Sequence, residues 1–274
     1  MDVRVVRKWA IDTPEAAFGL SDGMAGRLRV ERLTKRAVLE NTKSIGFRPG
    51  TIIDVGFAVG TEGLYDVFEG VRHVLIDPVA EAEAAMAQFC AAHPGSIYFV
   101  AAASDSEKPL RIVALPGITG SSAHRKHDAA VGELREAPSI TLDRIVAEND
   151  LPKPYLVKID VEGHELSVLK GATQCLKDAE MVIMEIGTWA EQRPKGRPSM
   201  MDLFRFMEDA GFVFYEFVEP GYRSVDGALY MFDAVFVKTD SPLRQVRTHK
   251  TPEQREADRL FKEARVRSAL NTSS

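Results

Sequence analysis

Residues 158–165 read Lys-Ile-Asp-Val-Glu-Gly-His-Glu, and five of these eight are ionisable. They fall at the end of 154–161, an apolar run with strand character. That is more charge than packing a buried strand needs. The chemistry on offer is proton transfer. Asp160 or His164 can take a proton from a hydroxyl, and a base so placed is worth about 10²–10⁴-fold in rate. Glu185, late in the apolar run 181–186, is a third candidate. Asp160, Glu162 and Glu185 also carry the oxygen donors that a hard cation such as Mg²⁺ takes. A divalent metal is therefore possible, but nothing in the sequence requires one. Plainer roles stand beside these. Lys158 can pair with Asp160 or Glu185 and simply hold the site. Glu165 can answer a helix dipole, Gly163 can make a turn, and His164 can orient a loop.

A second stretch supplies a place for a ligand. Residues 51–62 read Thr-Ile-Ile-Asp-Val-Gly-Phe-Ala-Val-Gly-Thr-Glu, which predicts a buried strand, a turn through Gly56, Ala58 and Gly60, and a helix near 61–69. Gly56 can adopt angles other residues avoid, and it lets a ligand approach the main chain. Asp77 ends the next apolar run and can hold both ribose hydroxyls of an adenosine cofactor. Two cofactors fit that acid, NAD and S-adenosylmethionine (SAM). The Gly-x-x-x-Gly spacing counts against the dinucleotide. So does Asp54, which would repel a pyrophosphate and attract the cationic groups of SAM. Asp54, Gly56, Ala58, Gly60, Asp77 and Asp160 are thus the candidate cofactor residues. Ser104 and Asp105, after the third strand, join them at the adenine end.

The elements that must position these groups alternate. Strands at 51–56, 73–77 and 96–103 flank an Ala-rich helix near 80–92. This order predicts a parallel sheet with right-handed crossovers and ligands beyond the carboxyl ends of its strands. A strand at 109–115 leads into 117–138, polar and long enough to be a lid. Within it Ser121, Ser122 and His124 are candidate substrate contacts, beside Arg125, Lys126 and His127. Thr141 can cap a helix. Strands at 154–161 and 181–186 follow, then a helix at 200–210. Strands at 212–218 and 229–237 have too short a link for a helical crossover and should pair antiparallel. The fold expected is α/β, a doubly wound, mostly parallel seven-stranded sheet with a C-terminal antiparallel strand.

Composition bounds the rest. The 274 residues carry a net charge of −5, which argues against a general nucleic-acid binder. Cys90 and Cys175 form no metal spacing and no disulfide framework, so reduced, buried thiols in a cytoplasmic protein are expected. The first residues lack an apolar signal core. No run approaches the roughly 20 apolar residues of a membrane span. Residues 1–48 read as an N-terminal helical extension, with Asp22 capping a helix over 24–41. Residues 49–239 form the main domain. The tail, 240–274, has eight Lys or Arg against five Asp or Glu and reads as a solvated helix that could dock on a second subunit.

The signature Lys158-Ile-Asp-Val-Glu-Gly-His-Glu, followed by Val168-Leu-Lys-Gly-Ala, resembles the FkbM family of SAM-dependent methyltransferases. Asp54-Val-Gly, Gly120-Ser-Ser, Thr141-Leu-Asp and Met184-Glu-Ile match in order, so the resemblance runs from about 50 to 190. One departure stands out: Phe57-Ala58 replace the Ala-Asn usual in the glycine loop. The resemblance implies the class I methyltransferase fold. It implies methyl transfer from SAM, usually to a hydroxyl of a sugar, polyketide or other small natural product. An NAD-linked oxidoreductase and a non-catalytic SAM-binding module are the alternatives.

Overall fold

The computed structural model describes residues 33–61, 63–117, 120–123, 132–188, 197–245, 248 and 250–271. A compact body runs from Leu33 to Arg244. Its strands are β1 (Thr51–Val55), β2 (Arg72–Asp77), β3 (Ile97–Val100), β4 (Ala102–Ala103), β5 (Leu110–Ala114), β6 (Glu133–Ala137), β7 (Ser139–Ile140), β8 (Tyr155–Ile159), β9 (Ala179–Gly187), β10 (Phe212–Tyr222) and β11 (Leu229–Lys238). Its helices are α1 (Lys35–Ser44), α2 (Glu83–Ala92), α3 (Leu142–Glu148), α4 (Glu165–Lys170), α5 (Cys175–Asp178) and α6 (Met200–Asp209).

The main sheet has seven strands in the order β10-β11-β9-β8-β1-β2-β3. Only β11 runs against its neighbours, pairing antiparallel with both β9 and β10. The strand order reverses between β1 and β8, which pair in parallel. The crevice beyond their carboxyl ends is where such sheets take ligands. Alternate strand residues bury on opposite faces. Ile53, Val55, Val157 and Ile159 face α3, α4 and α6, while Ile52, Leu156 and Ile183 face α1 and the buried Leu64, Val67 and Phe68. The sheet is doubly wound, as expected.

Four local expectations are corrected. Among the described residues of 61–69 no helix forms. Leu64, Val67 and Phe68 are buried as their spacing suggested, but Gly63 sits at φ +75° and breaks the helical path into turns. The strand expected over 96–103 divides at Ala101. β3 stays in the main sheet, and β4 leaves it to pair with β7. Residues 133–137, expected within a long loop, form β6 on β5. That strand is mostly exposed and polar, so no apolar run announced it. Among the described residues, helix α1 begins at Lys35, where the Thr34 hydroxyl accepts the N–H of Ala37. Asp22 and residues 24–32 of the expected helix lie outside the described residues.

The described residues beyond Arg244 are assigned to a separate unit of the chain. The helix α7 (Pro252–Asn271) carries its own ion pairs, Arg259 with Glu256 and Glu263. Cys90 is half-buried rather than buried, and Cys175 is fully buried. Among the described residues no helix is long and apolar enough to cross a membrane.

Candidate active site

The strand register builds the floor of the site. Asp54 on β1 lies opposite Lys158 on β8, and the two side chains meet at 3.1 Å with neither appreciably exposed. The Lys158 ammonium also donates to the Gly56 carbonyl at 2.8 Å and reaches Asp160 at 3.5 Å. Burial opposes its charge, but Asp54 and Asp160 outweigh burial and hold its pKa above the usual lysine value. Asp54 further accepts the hydroxyls of Thr61 at 3.0 Å and of Tyr65. One buried cation thus ties both central strands to the glycine loop. The loop could not take this path with a side chain at Gly56, where a Cβ would lie 1.8 Å from the Asp160 carbonyl oxygen. Ala58 sits at φ +49°, a left-handed conformation in which Asn is less strained than Ala.

Above this floor a cavity of about 290 Å³ opens. Its lining includes Gly56, Ala58, Asp77 and the apolar Val79, Leu110 and Ile112, together with Asp160, Glu162, His164 and Glu185. Asp77 Oδ2 accepts the Ala58 N–H at 2.7 Å and Oδ1 accepts that of Val79 at 2.9 Å. Each oxygen keeps a lone pair for a ligand hydroxyl. Burial raises the Asp77 pKa against those two bonds. A second cavity, about 530 Å³, lies across the loop between Thr34, Lys35, Arg36, Gly60, Lys158 and Glu219, sharing Gly56, Ala58 and Asp160 with the first.

Carboxylate oxygens of Asp160, Glu162 and Glu185 come within 4.8 Å of one another. So close a set favours keeping a proton or taking a cation. Glu185 bears the consequence. Burial, then the charges of Asp160, Glu162, Asp233 and Glu165, push its pKa up to about 9 from an ordinary 4.5. In the folded state Glu185 therefore holds a proton that the unfolded chain releases above pH 4.5. Its contribution to stability falls as pH rises from about 4.5 to about 9. Glu185→Gln is expected to raise the melting temperature of the ligand-free protein by about 5 °C at pH 8, with little change at pH 4. Thermal melts across that range check it, and equal melting at both pH values would remove the burial argument.

The remaining sequence candidates divide. Asp54 does not reach either cavity. It lies buried beneath the loop, paired with Lys158 and bonded by Thr61 and Tyr65. Ser104 and Asp105 are not among the residues lining the cavity either. Ser104 is buried with its Oγ 3.0 Å from His164 Nε2, and Asp105 is exposed. Ser121 and Ser122 do line the first cavity. Both hydroxyls serve the fold, since Ser121 accepts the Leu115 N–H and Ser122 donates to the Glu162 carbonyl at 2.8 Å. His124, Arg125, Lys126 and His127 lie outside the described residues.

Lys35, Arg197 and Asp233 escaped the sequence reading, and Glu162 was read only as an oxygen donor near the turn. Glu162 adopts φ +54° and is held there through its carbonyl by Ser122 and Arg197. Lys35 anchors α1 to β11 through Asp233 at 2.6 Å. The Thr-Leu-Asp motif is structural: Thr141 caps α3, and Asp143 accepts the N–H groups of Gln174 and Cys175 at the start of α5. Asp143 sits inside α3, and its backbone partners are 31 and 32 residues away, so finding them needed the fold.

With this geometry in place, similarity to known proteins is informative. The model of the methyltransferase FkbM domain matches residues 54–214, more than half of the chain. A hexuronic acid methyltransferase, AglP, of Haloferax volcanii is 42% identical over 65 residues, 24% of this chain and 27% of that protein. The match therefore spans about a quarter of that relative's length. Among solved structures, N-methyltransferase NodS from Bradyrhizobium japonicum WM9 in complex with S-adenosylhomocysteine is 14% identical, with 86% of this chain and 96% of that chain covered and a TM-score of 0.44. The 1,6-didemethyltoxoflavin-N1-methyltransferase of Burkholderia thailandensis is 15% identical over 75% and 77% of the two chains, at a TM-score of 0.40. The domain match, laid over a doubly wound sheet whose glycine turn and acid-rich turn face one cavity, assigns the chain to the FkbM family of SAM-dependent methyltransferases.

Proposed function

We propose that this enzyme methylates a hydroxyl oxygen of a small polyhydroxylated acceptor, a sugar in the first instance and otherwise a polyketide or similar natural product. One observation carries the reading. A single cavity is lined both by Asp77 and the glycine loop, suited to an adenosine, and by Asp160, Glu162, His164 and Glu185. Carboxylates set side by side suit the paired hydroxyls of a sugar, each accepting one hydroxyl hydrogen. The hexuronic acid methyltransferase among the relatives supports the same substrate class.

SAM, when bound, supplies an activated methyl on a good leaving group, so the protein's work is alignment and proton removal. Asp77 holds the ribose hydroxyls, and Val79, Leu110 and Ile112 give the base an apolar slot. The second cavity, with Lys35 and Arg36 at its edge, takes the amino-acid end. Asp160, fixed by Lys158, faces the cationic centre. Glu162 and Glu185 grip the acceptor, and His164 takes its proton.

The test is turnover to S-adenosylhomocysteine over a panel of neutral sugars, uronic acids and non-sugar alcohols. O-methylated sugar is expected, and transfer to nitrogen acceptors alone would refute the proposal. Asp77→Ala should weaken SAM by about 1.5–3 kcal/mol, about tenfold to a hundredfold. Unchanged affinity by calorimetry would refute the ribose assignment. The 4.8 Å spacing of the three acids also fits a divalent cation, which would lower the acceptor's pKa. Loss of turnover with a chelator, restored by Mg²⁺, would assign the acids that role.

A further inference from the structure

A third cavity, of about 370 Å³, falls within the about 300–1,000 Å³ common for small-ligand sites. It adjoins the first through Glu162, Glu185 and Met231, which line both. It shares no described residue with the second. With the adenosine in the first cavity and the amino-acid end in the second, an acceptor seated in the third meets the cofactor at the shared acids.

Groups on its wall have bonding capacity that the fold does not use. The Glu185 carboxyl and the Tyr230 hydroxyl make no hydrogen bond or ion pair among the described residues. Arg197 gives an N–H to the Glu162 carbonyl and stands 3.8 Å from the Glu162 carboxylate, and a guanidinium has five N–H groups to give. The Tyr230 ring adds an apolar surface. It is 42% exposed although it stands on a strand of the main sheet. Its neighbour β10 is bulged around Gly221, and a bulge re-aims the side chains about it. The ring lies directly on that glycine, where a Cβ would stand 3.1 and 3.2 Å from the ring atoms Cε1 and Cζ. A pyranose carries C–H groups on its faces and hydroxyls round its rim. It therefore suits an aromatic ring beneath it and polar groups at its edge. A flexible polyketide chain offers no such rigid face.

We propose that the third cavity seats the ring of an acceptor sugar, with one face of a pyranose laid on Tyr230 and its hydroxyls bonded by Glu185 and Arg197. This deepens the reading of the acceptor as a sugar and rests on it. One arm of the test needs no turnover. Saturation-transfer NMR is run on the full chain loaded with S-adenosylhomocysteine, with methyl glucopyranoside, methyl galactopyranoside, methyl mannopyranoside and glucuronic acid as probes. Saturation is expected at the ring protons of at least one probe, lost in Tyr230→Ala and kept in Tyr230→Phe. In the second arm, Tyr230→Ala should raise the KM of a methylated sugar about tenfold and Tyr230→Phe by less than about threefold. S-Adenosylhomocysteine affinity by calorimetry should stay within about threefold in both variants, which shows that the cofactor site is intact. No saturation of any probe, or saturation unchanged in Tyr230→Ala, overturns the proposal. A Tyr230→Phe variant as impaired as Tyr230→Ala overturns the platform by placing the binding in the hydroxyl. If a sugar is methylated with the same KM in Tyr230→Ala, the sugar reading stands and the ring site fails. If only non-sugar alcohols are methylated, both fail.

Discussion

Lys158→Met is expected to lose about 3–5 kcal/mol of folding stability, out of a typical total of about 5–15 kcal/mol. The substitution keeps most of the apolar stem of the side chain and removes the ammonium, its charge and its hydrogen-bond donors together. What it leaves behind is Asp54, with no exposed surface and its cation gone. Thr61 and Tyr65 still donate to that carboxylate, but two hydroxyls do not neutralise a buried charge. The Gly56 carbonyl also loses its donor, so the glycine loop loosens and SAM binding should fall with stability. The double variant Asp54→Asn/Lys158→Met removes the orphaned charge and should recover at least half of the loss. Urea unfolding at pH 7 measures both. A single variant as stable as wild type would mean that the pair adds nothing. A double variant no better than the single would place the loss in packing instead.

That pair also shows what the sequence could and could not disclose. The apolar, β-branched runs at 51–55 and 155–159 were legible because a strand buried on both faces has no polar side to confuse the pattern. The glycine turn and the acid-rich turn were legible as chemistry because their residues are costly to bury for packing alone. Which of those residues touch the cavity was not legible. Asp54 was read as a ligand for the cofactor because it ends a strand. Only the pairing of β1 with β8 reveals that Lys158 faces it. Ser104 was placed at the adenine for the same reason, and its partner His164 is 60 residues away. The missed strand β6 is polar because one face looks to solvent, and its order comes from β5 rather than from its own composition. Local pattern gave the elements. Long-range register decided which charges are structure and which are site.

His164→Ala is expected to lower turnover about 10²–10⁴-fold while leaving S-adenosylhomocysteine affinity within about threefold. The pH dependence gives the sign. A neutral imidazole accepts the acceptor's proton and an imidazolium cannot, so wild-type turnover should rise with pH through the ordinary histidine range, about 6.5, and then level off. His164→Ala should remove that rising limb as well as most of the rate. Asp160→Asn separates the neighbouring role. Asp160 lies between the two cavities and is held by Lys158, so its loss should weaken SAM and cut turnover about tenfold or more, with the histidine limb still present. The two variants therefore fail differently, one in the pH profile and the other in cofactor affinity. Should His164→Ala keep the limb while Glu185→Gln abolishes turnover, the proton goes to Glu185. Its pKa near 9 in the ligand-free protein would then shift the limb to alkaline pH. Should both His164→Ala and Asp160→Asn turn over like the wild type, the signature stretch would be scaffold for the Lys158 hub and for the turn on which Ser122 and Arg197 converge.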